Sequence, residues 1–241
     1  LAWLERAATS VGGGAGPQPA AALAAGQTLP CTFGGRLRLR FVDADANAAV
    51  SAGDSFVFDA AGCVDDVGLP AVDGVLGLQL HAVELDSRGR PVALDATAAL
   101  EAFAPAGHGR FDGNLRIWAR PGETVGRRTR LRFLATRVVA GGAEATYDFD
   151  LDASADDQGG RFTLSGSFGH GGQTYALTTA QPLVYAFGQP PASGTASLRD
   201  AAGNTLRATA GAGGQVTLAL VPAGASEPAS RTTLGWDAVL E

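Results

Sequence analysis

The sequence predicts an all-β fold, an antiparallel β-sandwich or barrel-like domain of about a dozen short strands behind a Gly-rich N-terminal arm. Three observations predict it. Apolar and polar residues alternate with a period of two over most of the chain after Cys31, as half-buried strands require. Gly, Asp, Asn or Pro separates the alternating runs. The 34 Gly and 12 Pro among 241 residues supply turns, while 46% hydrophobic residues leave ample material for a core.

Residues 1–30 are read as the arm and residues 31–241 as the β domain. LAWLERAATS has the spacing of a short helix, with Leu1, Leu4 and Ala7 on one stripe and Trp3 beside it. VGGGAGPQP then interrupts regular structure, and AAALAAGQTLP leads to Cys31. Next, Arg36, Arg38 and Arg40 alternate with Leu37, Leu39 and Phe41, and Phe56 and Phe58 flank Val57. Further alternation runs through VLGLQLHA, GNLRIWAR, RTRLRFLATRVV, ATYDFDLDA, RFTLSGSF, QTYALTT, PLVYAF, GTASLRD, TLRATA and QVTLALV. The Ala-rich stretch ALDATAALEAFAPAGHG reads instead as one or two helical turns.

One hairpin predicts its own register. RTRLRFLATRVV and ATYDFDLDA are joined through AGGA at 140–143. A three-residue loop at 140–142 sets Arg132 opposite Asp150 and Arg130 opposite Asp152, a ladder of opposite charges. A two-residue loop shifts the register by one and sets the arginines opposite Leu and Ala. The ladder is the preferred register.

Charge and composition exclude some classes. The 18 basic residues are all Arg, and with a net charge of −6 and a pI near 5 a nucleic-acid binder is not expected. No stretch approaches the roughly 18–20 uncharged apolar residues of a spanning helix. The chain begins at Leu1 with no charged-then-apolar leader, as expected of a mature exported protein. Cys31 and Cys63, the two cysteines, have no neighbouring His to complete a metal site, so a disulfide in an oxidising compartment is expected. The expected location is therefore secreted or cell-surface.

The most specific short pattern is DADANAAVSAGD at 43–54. Read as a calcium loop, it presents Asp43, Asp45 and Asn47 at positions 1, 3 and 5, the Ala49 carbonyl at 7, Ser51 at 9 and Asp54 at 12. Hard cations take six to eight oxygens, and Asp-x-Asp-x-Asn delivers three short-armed ones from one tight turn. The segment resembles an EF-hand loop and, with Asp at position 12, a dockerin-type loop more closely. It departs at position 6, where Ala48 replaces Gly, and its flanks read as strands. The competing reading is a polar β-hairpin loop with no ion.

The block CTFGGRLRLRFVDADANAAVSAGDSFVFDAAGC also resembles the opening of a group of exported, β-rich, lipoprotein-like bacterial proteins. In that group a Cys precedes a Gly-Gly strand, an Asp-x-Asp-Gly-Asn-Gly loop, Ser-x-Gly-Asp, a strand and a second Cys. PPASGTASLRDAAGNTLRATA followed by TTLGWDAVL is similar to its closing pattern. The two blocks cover about a third of the chain. The resemblance implies export and a β fold and carries no activity with it.

No catalytic motif is legible. A G-x-S-x-G elbow is missing, and His81, His108 and His170 are far apart without metal spacing. Asp65–Asp66 and Asp156–Asp157 are adjacent carboxylates in turns, which need not converge on a substrate. The leading expectation is a non-catalytic structural subunit of an extracellular assembly. In it Leu1, Trp3 and Leu4 dock on a neighbouring copy of the chain, and calcium and a Cys31–Cys63 bridge stiffen the domain. The alternative is a monomeric, calcium-stabilised surface module with carbohydrate as its ligand; Trp3, Trp118 and Trp236 are its candidate platform, although Trp118 and Trp236 read rather as buried packing. A hydrolase with residues assembled only by the fold is the third.

Overall fold

A computed structural model describes residues 26–65, 70–87, 91–121, 126–236 and 238. They form fourteen β-strands: β1 (Gln27–Pro30), β2 (Gly34–Val42), β3 (Ser55–Val64), β4 (Val72–Leu85), β5 (Pro91–Pro105), β6 (Arg110–Pro121) and β7 (Arg127–Ala140). The series continues with β8 (Ala143–Ala155), β9 (Gly159–His170), β10 (Gln173–Ala186), β11 (Ser193–Arg199), β12 (Thr205–Gly211), β13 (Gln215–Val221) and β14 (Ser230–Gly235). Each strand neighbours the next in sequence, in the order β1 to β14, and among the described residues β1 does not pair with β14. The fold is thus all-β and antiparallel. Several strands are long, up to the 15 residues of β5. The leading helix read at 1–10 and the apolar anchors Leu1, Trp3 and Leu4 lie outside the described residues. The sheet itself begins at Gln27, within the segment read as an arm.

Two compact units divide the chain: residues 1–120 with 134–144, and residues 121–133 with 145–241. In the first, the predicted alternation is realised strand by strand. Leu37, Leu39 and Phe41 of β2 are buried, as are Phe56, Phe58 and Ala60 of β3 and Leu78 and Leu80 of β4. The Phe41 and Phe56 rings lie 4.8 Å apart, and burial of each such side chain contributes about 1.5–3 kcal/mol. Cys31 and Cys63 form the disulfide, with Cα atoms 5.5 Å apart.

The Ala-rich stretch is strand β5, not helix. Ala96, Ala98 and Leu100 are buried on one face, while Thr97, Ala99 and Glu101 point to the other. Small residues there let Leu78 and Leu80 of the paired strand fill the interior. The packed face overrides the helix propensity of alanine.

β3 and β5 share a device that period-two alternation hides. Gly62 in β3 and Ala102 in β5 both sit in the left-handed region, and the register shifts beside each. The Gly62 N–H donates to Asp73 Oδ1 of β4 and the Ala102 N–H to Asp112 Oδ1 of β6, both at 2.8 Å. Each bulge therefore has its extra amide satisfied by an aspartate one strand on. Both aspartates precede a glycine, and at Gly74 a Cβ would overlap the Ala102 carbonyl.

In the second unit, rings of Phe133, Tyr147, Phe149, Phe168 and Tyr175 form a half-buried aromatic cluster, with neighbouring centroids 4.7–6.4 Å apart. Leu183 and Val216 are buried. Arg132 meets Asp150 of β8 at 2.7 Å as expected, but Arg130 also meets Asp150, at 3.3 Å, and Asp152 pairs with Arg128 instead, at 2.7 Å. The β7–β8 loop, however, is Gly141–Gly142, two residues with φ of 57° and 82°, as a type I′ turn requires. Such a loop alone would set the arginines opposite Leu and Ala. Ala135, at φ 50° within β7, breaks the regular strand conformation between that loop and the arginines.

Candidate metal centre

The loop of residues 43–54 joins β2 to β3, and Asp54 organises it. Its side chain is fully buried. Asp54 Oδ1 accepts the Ala44 N–H at 2.9 Å, and Oδ2 accepts the Ser51 N–H at 2.6 Å and the Ser51 hydroxyl at 3.2 Å. A buried carboxylate without such donors would be costly, so these bonds fold the loop back on its own last residue. The loop end is tied down from β4: Gln79 Nε2 donates to the Gly53 carbonyl at 2.7 Å, and the Leu80 N–H to the Asp54 carbonyl at 2.8 Å.

Asp43 wraps the middle of the loop. Its Oδ1 accepts the Asn47 N–H at 3.2 Å and its Oδ2 the Ala48 N–H at 2.7 Å. Desolvation opposes its charge, but these amides outweigh that and hold the carboxyl below its ordinary value. Asp45 accepts the Asn47 side-chain amide at 2.8 Å and the Ser51 hydroxyl at 3.4 Å. Asn47 Oδ1 accepts the N–H of Ala49, an exposed loop residue.

The turns are made with alanine. Ala46 and Ala48 have φ of 57° and 60°, where L-residues cost roughly 1–2 kcal/mol. Ala48 thus takes the left-handed conformation for which the calcium-loop pattern uses Gly.

The loop brings one carboxylate oxygen from each of Asp43, Asp45 and Asp54 within 4.8 Å of the others. Asn47 and Ser51 are hydrogen-bonded to this trio. Oxygens at such separations suit a hard cation with bonds of about 2.3–2.6 Å, and each carboxylate keeps lone pairs beyond those used by the amides. The carboxylate trio could hold a metal ion. Cys31 and Cys63 also lie near Asp65, but their sulfurs are consumed by the disulfide, and Asp65 accepts the Thr32 N–H at 3.0 Å.

The remaining candidates do not converge. His81 Nε2 lies 2.8 Å from the Thr97 hydroxyl, His170 stacks at 6.2 Å on Phe168, and the His108 N–H closes a turn on Pro105. Trp118 lies under the Arg116 guanidinium at 5.5 Å, and Trp236 Nε1 donates to the Pro191 carbonyl at 2.9 Å. Gln79 is the site residue that sequence reasoning missed. It stands 25 positions from Asp54, and only strand pairing brings it to the loop.

No protein-family description, curated protein or solved structure matches the chain. No helix among the described residues is long and apolar enough to cross a membrane.

Proposed function

We propose that the chain is an exported, non-catalytic structural subunit of an extracellular or cell-surface bacterial assembly, built by contacts between copies of itself. The observation that carries this reading is the strand order: among the described residues fourteen strands neighbour one another in sequence order, and β1 and β14 are not paired. An unclosed sheet offers backbone donors and acceptors to a further strand, and head-to-tail addition of that kind propagates. In this reading the segment bearing Leu1, Trp3 and Leu4 docks on the neighbouring subunit. The Cys31–Cys63 disulfide suits an oxidising compartment, and calcium at 43–54 rigidifies the β2–β3 connection.

Electron microscopy and light scattering of the purified chain test this, with and without residues 1–15. Concentration-dependent filaments that disappear on deletion are the expected result. A chain that stays monomeric at all concentrations, or whose filaments survive the deletion, overturns the reading.

A second reading is favoured by the carboxylate trio: a monomeric, calcium-stabilised surface module that binds carbohydrate. It predicts a monomer by light scattering and retention on a glycan array that is lost with chelator.

A further inference from the structure

We propose that the outward face of β2 to β5 binds a short zwitterionic peptide of two or three residues, its carboxylate on Arg38 and Arg40 and its ammonium on Glu101 and Asp59. The site is a trough of about 330 Å³ lined by these four side chains and by Val57 and Val75. Alternation puts them together. Leu37, Leu39, Phe56, Phe58, Leu78 and Leu100 are buried in the core, so their neighbours one residue along stand on the other face. Strand pairing then sets two rows side by side: Arg38, Asp59, Val75 and Glu101 in one, Arg40, Val57, Gly77 and Ala99 in the other. With Gly77 and Ala99 in the second row, no long side chain fills the space between Val57 and Glu101.

The four charged groups are unpaired. Arg110, Arg116, Arg128 and Arg132 each hold a carboxylate at 2.9 Å or less. Among the described residues Arg38, Arg40, Asp59 and Glu101 make no ion pair or side-chain hydrogen bond, although Arg38 and Asp59 are direct cross-strand neighbours. Gly26 accounts for this. It precedes β1, which flanks β2 on the side away from β3. A Cβ at Gly26 would lie 3.0 Å from Arg38 Nε and 3.1 Å from Arg40 Cγ, so both arginines pack against the backbone there. Arg38 is thereby drawn away from Asp59, and the trough stays open.

Two cations and two anions in one trough select the charge of the ligand. An anion alone meets Asp59 and Glu101, and a cation alone meets Arg38 and Arg40, whereas a molecule carrying both charges satisfies both ends. The guanidinium fork suits a carboxylate, and the carboxylates accept from an ammonium. β2 and β5 are three strand spacings apart, about 14 Å at the backbone, and long side chains reach in from both ends. An extended peptide covers about 3.3–3.6 Å per residue, so two or three residues bridge the remaining gap, which the adjacent charges of a free amino acid do not. Val57 and Val75 offer the middle of the peptide an apolar surface. The volume sits at the lower end of the roughly 300–1,000 Å³ of small-ligand sites, as so small a ligand requires.

Isothermal titration calorimetry with trialanine tests this, with N-acetyl-trialanine and trialanine amide as blocked probes. Saturable binding of trialanine is expected, weakened about tenfold or more by blocking either end. Arg40→Gln is expected to weaken trialanine binding about tenfold and to leave the residual affinity for the amide unchanged. Glu101→Gln does the same at the other end, leaving N-acetyl-trialanine unchanged. Arg36→Gln, on the same face of β2 but outside the trough, binds as wild type. All three positions are exposed, so melting temperatures stay within about 2 °C and lost binding is not lost folding. The proposal is overturned by the absence of saturable binding, by blocked peptides that bind as tightly as trialanine, or by an equal effect of all three variants. Assembly is read separately, by light scattering, so the subunit reading stands or falls on its own.

Discussion

Asp54 is the single residue on which most of the 43–54 loop depends. It is buried and receives two backbone amides and a hydroxyl, so Asp54→Ala removes the acceptor of the Ala44 and Ser51 amides. Ala44 is exposed and Ser51 half-buried, so water meets part of that loss, and a cost of about 1–2 kcal/mol in denaturant unfolding is expected. Ala48→Gly runs the other way. Its φ of 60° strains an L-residue, so glycine gains about 1 kcal/mol, or a rise of about 2–4 °C in melting temperature. A fall in melting temperature would show that the left-handed turn is absent in solution. Asp43, Asp45 and Asp54 were legible because they lie in one short segment, whose fold brings a carboxylate oxygen of each within 4.8 Å of the others. Gln79 was not, because nothing local marks a glutamine that crosses from another strand.

At the scale of the element, alternation identified the strands because packing on one face leaves that imprint. It misread β5, where alanine fills the buried positions and composition points to helix. It also passed over the bulges at Gly62 and Ala102, since one extra residue barely disturbs a two-residue period. Of the Arg–Asp pairs expected between β7 and β8, Arg132–Asp150 was legible, whereas the two-residue loop and the partners of Arg130 and Asp152 were not. The bulges carry a sharp prediction. Gly74 has φ 98° and its missing Cβ would overlap the Ala102 carbonyl, whereas Gly107 has φ 82° and open space around it. Gly107→Ala is expected to cost about 1 kcal/mol, for conformation alone. Gly74→Ala adds a backbone clash and is expected to cost about 3 kcal/mol or more. Equal losses in chemical denaturation would remove the close β4–β5 approach from the account.

For the whole molecule, the disulfide and the charged groups set the conditions under which the fold persists. The Cys31–Cys63 bridge closes a sequence separation of 32, which restricts the unfolded chain by about 3–4 kcal/mol in the loop-entropy account. Reduction is therefore expected to lower the melting temperature by about 10 °C. Acid acts through the carboxylates. Hydrogen bonds from Arg110, Arg137 and Arg128 hold Asp112, Glu144 and Asp152 below their ordinary values, and the Asn204 side chain does the same for Asp200. A carboxylate so depressed binds fewer protons folded than unfolded. Its contribution is present above its ordinary value and is lost as pH falls through the folded one. Stability should thus hold near neutrality and decline as pH drops from about 5 to about 3. Calcium separates the loop from these ion pairs. A cation on Asp43, Asp45 and Asp54 needs all three ionised, so its stabilisation fades with the same acidification, while the ion pairs need no metal. Melting curves across that range, with calcium and with chelator, are expected to differ near pH 7 and to merge near pH 3. Curves that coincide throughout would leave 43–54 as a hydrogen-bonded hairpin loop, and a profile flat from pH 6 to 3 would mean the arginine pairs contribute nothing in solution.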